Sequence, residues 1–217
     1  MNARLLAKLA PWSGVVFVVL MVGWFITTPG DFLDDPDSLA SDYADDLGMF
    51  LGGAQMAAIA AAALLWFSGT IASALIANGA GERLAGLARS GGTAAAALLM
   101  SGVAIIAVGA LIADDQGEIA AESASLLFSV GFALVFGAMP LAVAVLVAAT
   151  AIGSLRGNRF LPYWLDWASL VLAVALLIIF INWIAVMLVF PVWVLLVAGL
   201  MIAGRLTFEA PATSGDG

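Results

Sequence analysis

Long apolar runs separated by short clusters of charge and glycine set the pattern of this chain. They cover about 12–28, 48–77, 93–113, 123–154 and 166–204. A hydrocarbon core ~30 Å thick needs about 20 residues of helix at ~1.5 Å rise each, so each of the first four runs predicts one crossing. The last has no charge after Asp166 and is long enough for two, 166–182 and 185–204, with Asn182-Trp183 as the expected turn. Barrel strands would alternate polar and apolar positions, and these runs do not. The expectation is an all-α, polytopic transmembrane helix bundle of six spans within residues 1–206.

The breaks predict local structure. Residues 29–47 carry seven aspartates and no basic residue, so they belong outside the hydrocarbon. Asp35-Pro36 suits the N-cap and first position of a short helix. Leu39, Tyr43, Leu47 and Phe50 follow at helical spacing, predicting an interfacial helix in the first outer loop with that face on the membrane or on other loops. Asn78-Gly79-Ala80-Gly81 reads as a helix stop. Arg83 and Arg89 then mark a short basic loop, and Gly91-Gly92 the approach to the third span. Pro140 lacks a backbone donor in mid-span, so a kink is expected near Gly137 to Pro140. The first run has signal-peptide flanks but a poor cleavage site at Ile26-Thr27-Thr28-Pro29, and reads as a retained helix. Residues 207–217 read as a disordered cytoplasmic tail.

Composition agrees with a membrane protein: 64% of the 217 residues are hydrophobic, 10% are charged, and mean hydropathy is +1.14. Charge adds direction. Arg4, Lys8, Arg83, Arg89, Arg156, Arg159 and Arg205 all fall on one side of the six-span arrangement. The other side holds eleven of the fifteen acids and no basic residue. The positive-inside bias makes the basic side cytoplasmic, with both termini there, and places the chain in the cytoplasmic membrane as a multi-pass protein. Trp12 and Trp164 at inner ends, and Trp24 and Trp183 at outer ends, suit interfacial belts.

The same segregation removes most chemistry. Cysteine and histidine are absent, so thiolate catalysis, thiolate metal sites and histidine-ligated haem are unavailable. Lys8 lies outside the spans, so no retinal Schiff base is expected. No nucleotide-binding, zincin or nucleophile-elbow motif occurs, and the net charge of −8 argues against nucleic acid. The acidic outer loop lacks the ligand pattern of a calcium loop and reads as solvated surface. No catalytic residue, metal site or cofactor is expected. Asp166 comes nearest the hydrocarbon and reads as a helix N-terminal acid paired with Arg159, with a substrate or proton role as the alternative. Gln55 and Asn182 are the polar residues suited to packing or solute contact, Gln55 beside Gly52-Gly53 where backbones can approach closely. Gly48 and Gly52 form a GxxxG pattern, and Gly102 and Gly109 share a face; both suit helix crossing within the bundle or between protomers.

Four stretches resemble a family of small six-helix bacterial integral membrane proteins of unknown function. They are Asp37-Ser-Leu-Ala-Ser-Asp-Tyr-Ala-Asp, Leu64-Leu-Trp-Phe-Ser-Gly-Thr-Ile-Ala-Ser-Ala-Leu75, Phe160-Leu-Pro-Tyr-Trp-Leu-Asp-Trp167 and Phe190-Pro-Val-Trp-Val-Leu195. The resemblance implies a fold and a membrane address, and supplies no activity; Asp166 stands where such proteins often have glycine. The functional expectation is a non-enzymatic accessory or assembly subunit, or a homo-oligomer, whose partners are the bilayer and a membrane protein or a second copy. The alternative is a carrier or channel for a small neutral or apolar solute, using Pro140, Gln55 and Asn182.

Overall fold

The computed structural model describes residues 9–28, 35–178 and 182–203, and every regular element among them is helical. We number these α1 (Trp12–Thr27), α2 (Pro36–Asp45), α3 (Leu47–Ala77), α4 (Glu82–Gln116), α5 (Ala121–Arg156), α6 (Tyr163–Leu176) and α7 (Ala185–Ile202). A single turn, Asn182–Ile184, leads into α7. By length and apolar character α3, α4, α5 and α7 can each cross a membrane; α1 and α6 are apolar but shorter. Arg4, Lys8, Asp31, Asp34, Arg205 and the tail 207–217 lie outside the described residues.

Leaving α2 aside, each long helix packs on the next in sequence, and α7 returns onto α1. Neighbours are antiparallel. Gly92 of α4 lies beside Ser68 of α3, Gly102 of α4 beside Gly131 of α5, and Trp193 Nε1 of α7 donates to Ser169 Oγ of α6 at 2.7 Å. The alternation sorts charge physically. Arg83, Arg89, Arg156 and Arg159 share one end of the bundle, where the Asn158 N–H donates to the Asn78 carbonyl at 2.7 Å. Asp114, Asp115, Glu118 and Glu122 share the other end with the aspartates of α2.

The predicted stop after α3 is a Schellman turn: Gly79 has φ +76°, and the Ala80 N–H reaches the Leu75 carbonyl at 2.9 Å. The expected basic loop is a correction. Helix α4 begins at Glu82, so Arg83 and Arg89 are helical and exposed, and Gly91-Gly92 do not interrupt the helix. They admit neighbours instead: a Cβ on Gly91 would lie 2.7 Å from Leu146 N and 2.8 Å from the Ala142 carbonyl. The expected turn at Asn182-Trp183 is a second correction, because α6 ends at Leu176 and both residues are already helical.

Helix α2 forms where Asp35-Pro36 predicted it, with Leu39 and Tyr43 buried. Its apolar face meets the bundle and, as one of the two expected destinations, a loop: Ile119 of the α4–α5 connection packs in the same cluster. Tyr43 stacks on Phe50 with centroids 4.4 Å apart, and its ring occupies the space a Cβ on Gly109 would need. Ile106, Ala110, Ala113, Ile119, Ala124 and Phe128 complete this second cluster of buried residues, so α2 closes the acidic end.

Candidate functional site

Pro140 lies within α5, and the disturbance it causes spreads upstream. Residues Ala133–Ala138 form a π-helical segment, and the Met139 N–H bonds the Leu134 carbonyl five residues back. The wider turn spares the chain the clash between a proline ring and the carbonyl four residues earlier. Helix α7 repeats the device: Ala185–Val189 is π-helical, Phe190 donates to Ala185, and Pro191 follows. The two segments lie near each other, since Asn182–Ile184 packs on Ala133–Ala138. Pro191 was missed from sequence, although the signal, a proline inside an apolar run, was the same. The side chain of Asn182 lies outside what the structure describes.

Gln55 sits on the outward stripe of α3, where Gly48, Gly52, Ile59, Ala62 and Trp66 are also exposed. Its carboxamide makes no hydrogen bond to a described residue. Gly53 faces inward, where a Cβ would lie 2.8 Å from Thr28 Oγ1 and 3.2 Å from Trp24 Cδ1. Gly48 and Gly52 have open space beside them. The GxxxG pattern therefore meets no described residue, whereas Gly102 and Gly109 are both consumed by internal contacts, with Gly131 and Tyr43.

Asp166 lies in the first turn of α6, as a helix N-terminal acid, fully buried, with neither carboxylate oxygen in a hydrogen bond to a described residue. The predicted pairing with Arg159 is not made: that guanidinium rests over the Tyr163 ring, 5.0 Å from its centroid. The Ser154 hydroxyl and the Arg159 charge still act on the carboxyl, short of a formed bond. Ser154 Oγ accepts the Leu161 N–H at 3.1 Å, which ties residues 157–162 back onto the end of α5. Nearby polar groups are satisfied: Thr150 and Ser169 donate to carbonyls one turn earlier, and Ser169 accepts from Trp193. Among the described residues the Tyr43 hydroxyl is the other buried group without a partner, and burial pushes its pKa up from the ordinary range. Among the described residues no group of three or more histidines, cysteines or acids could hold a metal ion.

These features define a class: an all-helical protein with four helices able to span a membrane, one open small-residue face and one buried carboxylate. Compared with protein families, characterised proteins and solved structures, the chain matches none. Its function is accordingly argued from its own geometry.

Proposed function

We propose that this chain is a six-span protein of the cytoplasmic membrane, with both termini in the cytoplasm, acting through helix packing rather than catalysis. In this reading it is an accessory or assembly subunit or a homo-oligomer, akin to the small six-helix bacterial membrane proteins it resembles. Shorter helices α1 and α6 complete the six crossings, and the separated charges supply the orientation. The observation that carries the reading is the outer half of α3. Association in lipid draws on close backbone approach and interhelical hydrogen bonds, since lipid tails are as apolar as leucine. Gly48 and Gly52 offer the first and the unpartnered Gln55 amide the second, on one exposed stripe.

The chain has no cysteine, so Gln55→Cys and Gly52→Cys give single thiols for crosslinking in native membranes. Disulfide-linked homodimers, or a fixed heterologous adduct, are expected at these positions and not at the exposed Val192 of α7. Absence of any adduct at both, together with a monomer after mild-detergent extraction, would overturn the reading.

One observation favours a second reading, a carrier or channel for a small neutral or apolar solute. The paired π segments before Pro140 and Pro191 leave two neighbouring helices with irregular hydrogen bonding at similar depth, as mobile helices often have. Liposomes containing the protein would then pass such solutes faster than empty ones.

A further inference from the structure

The carboxyl of Asp166 is the one buried ionisable side chain at the basic end that has no partner among the described residues. An ionised carboxylate in such a place is strongly unfavourable unless donors or an opposite charge compensate it. Each element packed against it can be asked what it offers. On α5, Ser154 faces the carboxyl while Arg156 is exposed at the helix end. The connecting segment brings Arg159, engaged with Tyr163. The Tyr163 ring on α6 itself is exposed, and α7 has no titratable residue between Ala185 and Ile202. Among the described residues the arrangement thus holds one candidate counter-charge, Arg159, and holds it over the Tyr163 ring.

We propose that Asp166 and Ser154 form a proton-binding site, and that the bound proton keeps residues 157–162 tied to the end of α5 through the Leu161–Ser154 bond. With the proton on, the carboxyl is neutral and can donate to the free lone pair of Ser154 Oγ. Leu161 stays tied to the same oxygen, and Arg159 stays on Tyr163. When the proton leaves to water at the basic end, the negative charge left on Asp166 draws the Arg159 guanidinium from the ring. Arg159 is two residues from Leu161, so that movement pulls on the Leu161–Ser154 bond and opens the segment. One proton is exchanged, and nothing else is consumed. Because Asn158 also bonds Asn78, the change reaches the α3–α4 turn as well. This site is independent of whatever docks on α3.

The full chain in lipid nanodiscs tests this in two ways. Infrared spectra at neutral pH should show the C=O stretch of a protonated carboxylic acid that is lost in Asp166→Asn and kept in Glu122→Gln. Labelling of Leu161→Cys by a water-soluble maleimide, divided by that of the exposed Ser90→Cys, reads the opening. The ratio of open to closed forms should climb about tenfold per pH unit once the site titrates, as loss of one proton requires. Asp166→Asn should abolish that dependence, and Arg159→Gln should suppress the opening while leaving the infrared band. Lack of the band in the wild type, or its survival in Asp166→Asn, overturns the site. PH-dependent opening that persists in Asp166→Asn overturns its link to the segment.

Discussion

Replacing Gly131 with alanine tests whether the α4–α5 crossing is set by contact between backbones. A Cβ there would lie 2.5 Å from the Gly102 carbonyl oxygen and 2.5 Å from Ile106 Cγ1, and one on Gly102 would lie 2.6 Å from the Gly131 carbonyl. Ordinary contact begins near 3.4 Å, so the helices must part by roughly 0.9 Å at this point. A gap of that size forfeits about a quarter to a half of each local dispersion contact. Overpacking of this kind costs about 1–3 kcal/mol, and a backbone obstacle puts the expectation at the upper end. Alanine's better helix propensity returns about 1 kcal/mol. The net expectation is a loss of about 2 kcal/mol, or more than tenfold in the folding equilibrium. Gly52→Ala is the matched control, because nothing lies within 4 Å of its Cβ position and propensity alone should operate. Reversible unfolding of detergent-solubilised monomer in increasing sodium dodecyl sulfate, followed by circular dichroism, measures both. Gly102→Ala/Gly131→Ala together should cost less than the sum of the two, since the first already separates the helices. If Gly131→Ala proves as stable as Gly52→Ala, the backbone-contact argument fails.

The same unfolding assay addresses two further buried polar groups, the Tyr43 hydroxyl and the Ser169–Trp193 pair. Tyr43→Phe removes a hydroxyl that has no partner among the described residues, so it should leave stability unchanged or raise it by about 1 kcal/mol; a loss of that size would show a further bond. Burial favours the neutral phenol, so the Tyr43 contribution is complete below pH ~10 and declines as pH rises above that, where tyrosine in the unfolded chain ionises. Tyr43→Phe should lack that alkaline decline. Ser169→Ala strands the buried Trp193 indole N–H and should cost about 1–2 kcal/mol, recovered in part by Trp193→Phe in the double variant.

The sequence disclosed features with a strong local signature. Asp35-Pro36 and the Leu39–Tyr43 spacing located α2, because a cap and a 3.6-residue period are properties of neighbouring residues. Its destination was not legible, since an apolar face docks equally well on lipid, on loops or into the groove that Gly109 leaves open. Gly91-Gly92 misled for a similar reason. Glycine pairs break helices in water, but where another backbone passes close by, an absent side chain is what lets α4 continue. Asp166 was visible as an oddity, yet its pairing was misjudged. Sequence distance made Arg159 a natural partner, whereas the fold gave that guanidinium an aromatic ring and left the carboxyl alone.

Glycine placement then separates what the chain completes alone from what it leaves open. Gly91, Gly92, Gly102, Gly109, Gly131 and Gly153 all meet atoms of another helix where a Cβ would stand, and they lie along the shared faces of α2 to α5. Of the helical glycines with open space, three, Gly48, Gly52 and Gly69, belong to α3, the helix that also exposes Gln55. A glycine in an exposed helix position costs about 1 kcal/mol relative to alanine and returns nothing unless another backbone arrives. Two such residues one turn apart, with an amide on the next turn that bonds no described residue, form the face that close approach of a further helix would stabilise. The internal crossings are made by the chain's own helices; the α3 face is where the proposed partner helix would dock.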